Sequence, residues 1–225
     1  MTEILPALEI EPEVEVAGTV IWLHGLGASG HDFADVPPLL QQPGLRFVFP
    51  HAPRKPVTIN MGLIMPAWYD ILALGGSQRD HEDEPGIRSS AELIEALIAR
   101  EEERGVAASQ VVLGGFSQGG AMALYVGTRY AKTLAGIMVL SAYELLRGTR
   151  QTETSDANRQ TPLLVCHGEY DPMVPLRAGQ KLFETYSAEG RPAEWHSFPM
   201  EHQVSMEEIE VIRDWLKARF PAAAP

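Results

Sequence analysis

Apolar residues gather in short unbroken runs along this chain, and most runs are followed by a stretch with helical spacing. Thr19–His24, Arg46–Phe49, Val111–Phe116, Ala135–Leu140, Pro162–His167 and Ala193–Phe198 predict strands. In TVIWLH and VVLGGF no polar alternation breaks the run, which suits parallel strands covered on both faces. Between them, Leu93, Ile94, Leu97 and Ile98 form the stripe of a helix over Ile87–Arg104, with Ser89 and Glu92 as a capping-box pair and Gly105 as its stop. Ala121, Leu124, Tyr125 and Thr128 mark a helix directly after the Val111 run. Leu182, Phe183 and Tyr186 mark another over Leu176–Ala188. Ile209, Ile212 and Leu216 mark the last, over Ser205–Arg219, opened by a second capping box at Ser205 and Glu208.

Strands and helices alternate without a compositional break. The expectation is a single α/β domain over residues 1–225, with a mostly parallel central sheet and helices on both faces. Residues 1–17 read as an edge segment, folded as a hairpin, and 221–225 as a flexible Ala/Pro tail. Arg54–Leu74 reads as a long irregular segment rich in Pro, Met and aromatic residues. Gly75–Pro85 reads as an exposed loop and Tyr143–Gln160 as mostly loop. An apolar segment as long as Arg54–Leu74 must pack down, either as a pocket wall or as cover for the core.

Composition narrows the function classes. The formal net charge of −12 argues against nucleic acid and anionic membrane surfaces as partners. No apolar run reaches the length of a membrane span, and the N-terminal region lacks a basic start and long apolar core. The expectation is a soluble cytoplasmic protein. The one cysteine, Cys166, excludes an internal disulfide framework and sits in an apolar run, where it reads as a buried strand residue. No histidine pair has a local metal-ligand spacing, so neither metal nor cofactor is expected.

The candidate chemistry centres on Gly115-Phe116-Ser117-Gln118-Gly119, a G-x-S-x-G sequence between a predicted strand and a predicted helix. In that context the pentapeptide is a nucleophile elbow: a sharp turn lifts the Ser117 hydroxyl above the strand end, and glycines before and after it avoid collision. Gly25-Leu26-Gly27-Ala28-Ser29-Gly30 formally matches a dinucleotide fingerprint. Pro37-Pro38 in the next segment and the lack of an acidic residue after the next strand oppose that reading. The loop instead suits an oxyanion donor, Leu26, paired with the amide of Gln118, and His24 suits a brace for it.

A serine needs a base, and the base an orienting carboxylate. Asp171 and His202 follow the last two predicted strands, giving the chain order Ser, Asp, His of α/β-hydrolases. Glu169 is a rival orienter and His167 a rival base. Asp171 alone would read as a turn former before Pro172.

The motifs WLHGLGASG, PVTINMGLIMPAWYD, GGFSQGGAMAL, HGEYDPMVP and FPMEHQV together resemble the carboxylesterase and acyl-protein thioesterase family of α/β-hydrolases, over Val20 to about Phe220. The resemblance implies an α/β-hydrolase fold with a sheet of about seven or eight strands and no large lid domain. It implies Ser117, Asp171 and His202 as triad, Leu26 and Gln118 as oxyanion donors, and Ile64, Met65 and Trp68 as lining of the acyl channel. It further implies an enzyme that cleaves short- to medium-chain carboxylic esters, with acylated thiols and lysophospholipids as alternative substrates. A non-catalytic binding protein on the same fold would be expected to lack a triad member. A homodimer is compatible with apolar surface positions. Glu201 departs from the glycine usual before the histidine, so its carboxylate either acts on His202 or faces solvent.

Overall fold

The computed structural model describes residues 4–72 and 82–221. The elements in chain order are β1 (Ala7–Ile10), β2 (Gly18–Leu23), α1 (Val36–Leu40), β3 (Leu45–Pro50), β4 (Arg54–Val57), β5 (Leu63–Pro66) and α2 (Glu84–Glu103). These are followed by β6 (Val111–Phe116), α3 (Gln118–Arg129), β7 (Gly136–Leu140), α4 (Arg150–Glu153), β8 (Leu163–Gly168), α5 (Leu176–Ala188), β9 (Ala193–Phe198) and α6 (Met206–Arg219).

Seven strands form one sheet in the order β1-β3-β2-β6-β7-β8-β9, all parallel except β1. The apolar runs are continuous because both faces are covered. Along β2, Ile21 and Leu23 join the core under α2, α3 and α5, while Val20 and Trp22 join the core under α1 and α6. Each fully buried side chain of this size stabilises the fold by about 1.5–3 kcal/mol relative to exposure. This architecture is the α/β-hydrolase type.

Several expectations change. The N-terminal segment is no local hairpin: β1 pairs antiparallel with β3, where Glu9 and Glu11 reach Arg46, Arg100 and Arg104. Glu101, fully buried at the centre of this network, accepts from Thr19 at 2.9 Å and Arg46 at 2.7 Å. Within the Arg54–Leu74 segment, Arg54–Val57 and Leu63–Pro66 form an antiparallel pair, β4 with β5, rather than irregular chain, and residues 73–74 lie outside the described residues. Of the predicted loop Gly75–Pro85, residues 75–81 lie outside the described residues, as do 222–225 of the tail. Glu84 and Pro85 already belong to α2.

Helix α2 begins earlier than Ile87. Asp83, not Ser89, caps it, accepting the Gly86 amide at 3.0 Å with Pro85 in the first turn. Ser89 and Glu92 are interior helix positions. At α6 half of the expected box forms. Ser205 Oγ accepts the Glu208 amide at 3.2 Å, but the Glu208 carboxylate turns inward, fully buried and without a hydrogen-bond partner among the described residues. Burial pushes its pKa up to about 8. Tyr143–Gln160 is not purely loop, since it contains 3-10 turns and the short α4.

Candidate active site

The strand–turn–helix at β6 and α3 positions Ser117. Its backbone sits at φ 55°, ψ −121°, a conformation L-residues adopt only when the surroundings enforce it. The amide of Ser117 donates to the Leu140 carbonyl at 2.8 Å, and the Ala121 amide donates back to the Ser117 carbonyl at 3.0 Å. A methyl at Gly115 would lie 2.5 Å from backbone atoms of Gly119. The second glycine is needed for a different reason than the first: a methyl at Gly119 would strike the backbone of Leu23 and His24 on and just beyond the neighbouring strand β2.

Ser117, Asp171 and His202 are brought together beyond the carboxyl ends of β6, β8 and β9. His202 Nε2 lies 2.9 Å from Ser117 Oγ, and His202 Nδ1 lies 2.6 Å from Asp171 Oδ2. Asp171 is itself held, with Oδ1 accepting the amides of Met173 and Val174, each at 2.8 Å. The carboxylate therefore has one oxygen committed to its own turn and the other to the imidazole N–H. That leaves Nε2 of His202 as the acceptor toward the serine hydroxyl. The Phe116 ring packs beside His202, with centroids 4.7 Å apart.

The rivals hold other hydrogen-bond partners, although His167 Nε2 lies 3.7 Å from Asp171 Oδ2. Glu169 accepts from Ser197 Oγ at 3.0 Å. His167 is buried, donates through Nε2 to the Val174 carbonyl at 2.9 Å, and has its pKa lowered chiefly by desolvation. Glu201 is exposed, and its carbonyl crowds Gly168. Cys166 is fully buried, and burial pushes its thiol pKa up.

The Gly25–Gly30 loop runs beside the serine, and a methyl at Gly25 would sit 3.4 Å from Ser117 Cβ. Imidazoles pin both ends of this loop. His24 donates through Nδ1 to the Gly25 carbonyl at 2.7 Å and accepts the Ala52 amide at Nε2, at 3.0 Å. His51 accepts the Gly30 amide at Nδ1, at 3.1 Å. Both work only as neutral rings, and desolvation lowers both pKa values. Leu26 and Gln118 line the same cleft as Ser117. Gln118 opens α3, so its amide has no preceding helical turn to donate to.

Ile64, Met65 and Trp68 divide three ways. Met65 lines the cleft. Ile64, its neighbour on β5, alternates to the other side and is 59% exposed. Trp68 is core rather than channel wall: it is fully buried, and its indole N–H donates to the His24 carbonyl at 2.8 Å. Its carbonyl accepts from Lys55 Nζ at 2.8 Å and from Ser90 Oγ. Sequence reasoning missed two wall residues, Tyr69 and Tyr143, and missed the Gln118 side chain. That amide accepts the Trp68 N–H at 2.9 Å and donates to the Tyr69 carbonyl at 2.8 Å. Only the adjacency of Tyr69 to Trp68 in PAWYD could have hinted at this.

The cleft encloses about 1390 Å³ and extends from Leu26, Ser117 and His202 past Met65 and Tyr69 to Tyr143 and Leu145. Such a volume admits a ligand of several apolar groups. Asn60 Nδ2 contacts Met65 Sδ at 3.3 Å in the lining, to which the start of α5 also contributes. Among the described residues no helix is long and apolar enough to cross a membrane.

Residues 7–220 match the model of a protein family described as Phospholipase/Carboxylesterase. Acyl-protein thioesterase 1 of Gibberella zeae is 39% identical over 90% of this chain and 91% of its own. The protein of the same name from Neurospora crassa is 37% identical over 97% and 94%. The crystal structure of Arabidopsis thaliana SOBER1 superposes with a TM-score of 0.84 at 30% identity, covering 90% of this chain and 98% of that one.

Proposed function

Because the chain belongs to the phospholipase/carboxylesterase family, a family of hydrolases, we propose that it cleaves carboxylic esters and thioesters through an acyl-enzyme formed on Ser117. The observation that carries this reading is the continuous path from Asp171 Oδ2 through His202 to Ser117 Oγ, with both links at hydrogen-bond distance.

In the proposed reaction His202 Nε2 takes the hydroxyl proton as Ser117 Oγ attacks the acyl carbon, while Asp171 stabilises the imidazolium. The carbonyl oxygen gathers negative charge facing the amides of Leu26 and Gln118. One such donor is worth about 3–4 kcal/mol in the transition state. Collapse expels the alcohol or thiol with the proton from His202. A water molecule, deprotonated by the same imidazole, then releases the acid and restores the serine. The α3 N-terminus adds a favourable field for the oxyanion.

The leading substrates are short- to medium-chain esters, accommodated by a wall of Leu26, Met65, Phe116 and Leu145. A second reading, removal of acyl groups from protein thiols, is favoured by the names of the Gibberella zeae and Neurospora crassa relatives. The test is labelling by a fluorophosphonate probe with mass mapping, then specificity constants on ethyl butyrate and on a palmitoyl-peptide thioester. Labelling at Ser117 and loss of turnover in Ser117→Ala are expected. Normal turnover in that variant would end the proposal, and negligible thioester cleavage would remove the second reading. A binding role on the same fold predicts no labelling at all.

A further inference from the structure

The cleft that holds the nucleophile carries a polar feature for which the mechanism above has no use. Tyr69 and Tyr143 both line it, and their hydroxyls meet at 2.7 Å. Tyr69 is almost wholly buried, and Tyr143 is half-buried. In a pair of phenols one O–H donates to the other oxygen, so the accepting hydroxyl keeps a proton of its own. Neither hydroxyl has another hydrogen-bond partner among the described residues. Burial raises the pKa of both phenols, which keeps that proton in place across the working range of a serine hydrolase.

Ile71, Ile87 and Leu145 are apolar residues that line the same cleft. A spare donor on a desolvated wall remains unsatisfied when an alkyl chain covers it, which weakens binding of that chain. The cleft also has a definite charge here. Glu82 lines it, accepts the Leu146 amide at 3.0 Å, and acts electrostatically on both phenols. Asp83 and Asp70 line it too, Arg147 acts on Glu82, and Arg177 and Lys181 line the cleft on the side of α5. A free carboxylate on a bound chain would therefore meet negative charge, whereas a neutral oxygen would not.

We infer that the Tyr69–Tyr143 hydroxyl pair is a binding station for a neutral oxygen acceptor, an ether, keto or amide oxygen, carried by the substrate several atoms from the scissile carbonyl. The inference rests on the ester-hydrolase reading above and narrows its substrate class from plain alkyl esters to oxygenated ones. The pair is locked in position from behind, since the Tyr69 backbone is held by Gln118 and its neighbour Trp68 by Lys55, Ser90 and His24.

The test compares ethyl hexanoate with isosteres in which one chain methylene is replaced by oxygen, ethyl propoxyacetate and ethyl 3-ethoxypropanoate, and with monoethyl adipate. Each is measured on the wild-type protein and on the double variant Tyr69→Phe/Tyr143→Phe, which keeps both rings. Taking the ratio between the two proteins cancels the intrinsic reactivity of each ester. The expected result is that the double variant loses about three- to tenfold in kcat/KM on one ether ester relative to hexanoate, the worth of one net hydrogen bond. Monoethyl adipate should be the poorest substrate of the wild type. An unchanged ether-to-hexanoate ratio in the double variant, or a preference for monoethyl adipate, would overturn the inference.

Binding of the same esters to Ser117→Ala, followed by ligand-observed NMR, separates this inference from the chemistry. An ether preference there, removed by the added Phe substitutions, would uphold the station even if no ester were turned over. Equal binding of ether and alkyl esters would sink it even if hydrolysis were fast. Circular dichroism melting of the double variant checks that the fold is retained.

Discussion

The Gln118 side chain grips the backbone of Trp68, accepting its N–H at 2.9 Å, so the residue after the candidate nucleophile also fixes the backbone that leads into the cleft-lining Tyr69. With the Tyr69 carbonyl held by the same amide, Gln118→Ala would strand a buried N–H and a buried C=O. Each unsatisfied group costs about 1–3 kcal/mol. We expect a destabilisation of roughly 2–4 kcal/mol by urea unfolding, with a fall in turnover larger than any rise in KM. A variant as stable as wild type would show that the wall is held by other contacts.

Gly119→Ala should be more damaging than a helix propensity scale suggests. Alanine is normally the better helix former by about 1 kcal/mol, but here its methyl would meet the backbone of Leu23 and His24 rather than solvent. Little soluble folded protein is expected, and a folded Gly119→Ala enzyme with wild-type melting would contradict the packing described.

Acid should loosen the molecule through three histidines. His24, His51 and His167 all have folded-state pKa values below the usual 6.5 or so, with desolvation the largest cause. The unfolded chain then binds more protons than the folded one. The stabilisation is fully present above about pH 6.5 and is lost as pH falls through the lower folded-state values. Between pH 8 and pH 5 the denaturant midpoint of the wild type should fall relative to that of His51→Asn, which can still accept the Gly30 amide. An identical slope in the variant would count against the brace at His51.

Glu208 works with the opposite sign. Its folded pKa, pushed up to about 8 by burial, means the folded protein holds a proton that the unfolded chain releases near pH 4.5. Its favourable contribution is complete below about pH 4.5 and disappears as pH rises through 8. Glu208→Gln imitates the protonated acid, so it should be neutral at pH 4.5 and stabilising above pH 8. Each tenfold change in proton affinity between the folded and unfolded chain is worth about 1.4 kcal/mol, so the gain is on the order of a few kcal/mol. A constant difference across that range would mean the carboxyl is not desolvated.

Glu101→Ala should cost about 3–5 kcal/mol, because it leaves Arg46 without its buried partner and Thr19 without an acceptor. Replacing Arg46 and Glu101 together by apolar residues should recover much of that loss, as measured by thermal unfolding.

What the sequence made legible was whatever had to be buried on two faces or repeated along a helix. Val111–Phe116 and the Ile94, Leu97 and Ile98 stripe stand out because solvent-facing residues are missing from them. The chain order of Ser117, Asp171 and His202 likewise survives as a linear signal of strand ends. The β4–β5 pair left no such trace. Pro56 and Pro66 sit in it, and Met61, Leu63 and Ile64 are exposed, so neither period nor burial marks it. Trp68 illustrates the limit in another way. The family resemblance implied a channel wall, but a buried indole N–H needs an acceptor, and the His24 carbonyl that supplies it lies far away in sequence. The Ser89 cap failed for a similar reason, since Ser90 and Asp83 answer to the PAWYD segment, through the Trp68 carbonyl and the Asp70 amide.

The antiparallel pairing of β1 along β3 closes what would otherwise be a bare ribbon margin. Removing residues 1–11 would uncover the hydrogen-bonding side of Leu45–Pro50, an invitation for another molecule to zip alongside it. High salt would weaken the same clasp by screening the Glu9 and Glu11 ion pairs. Handling conditions and N-terminal trimming should therefore govern clumping of this protein more than they govern its chemistry.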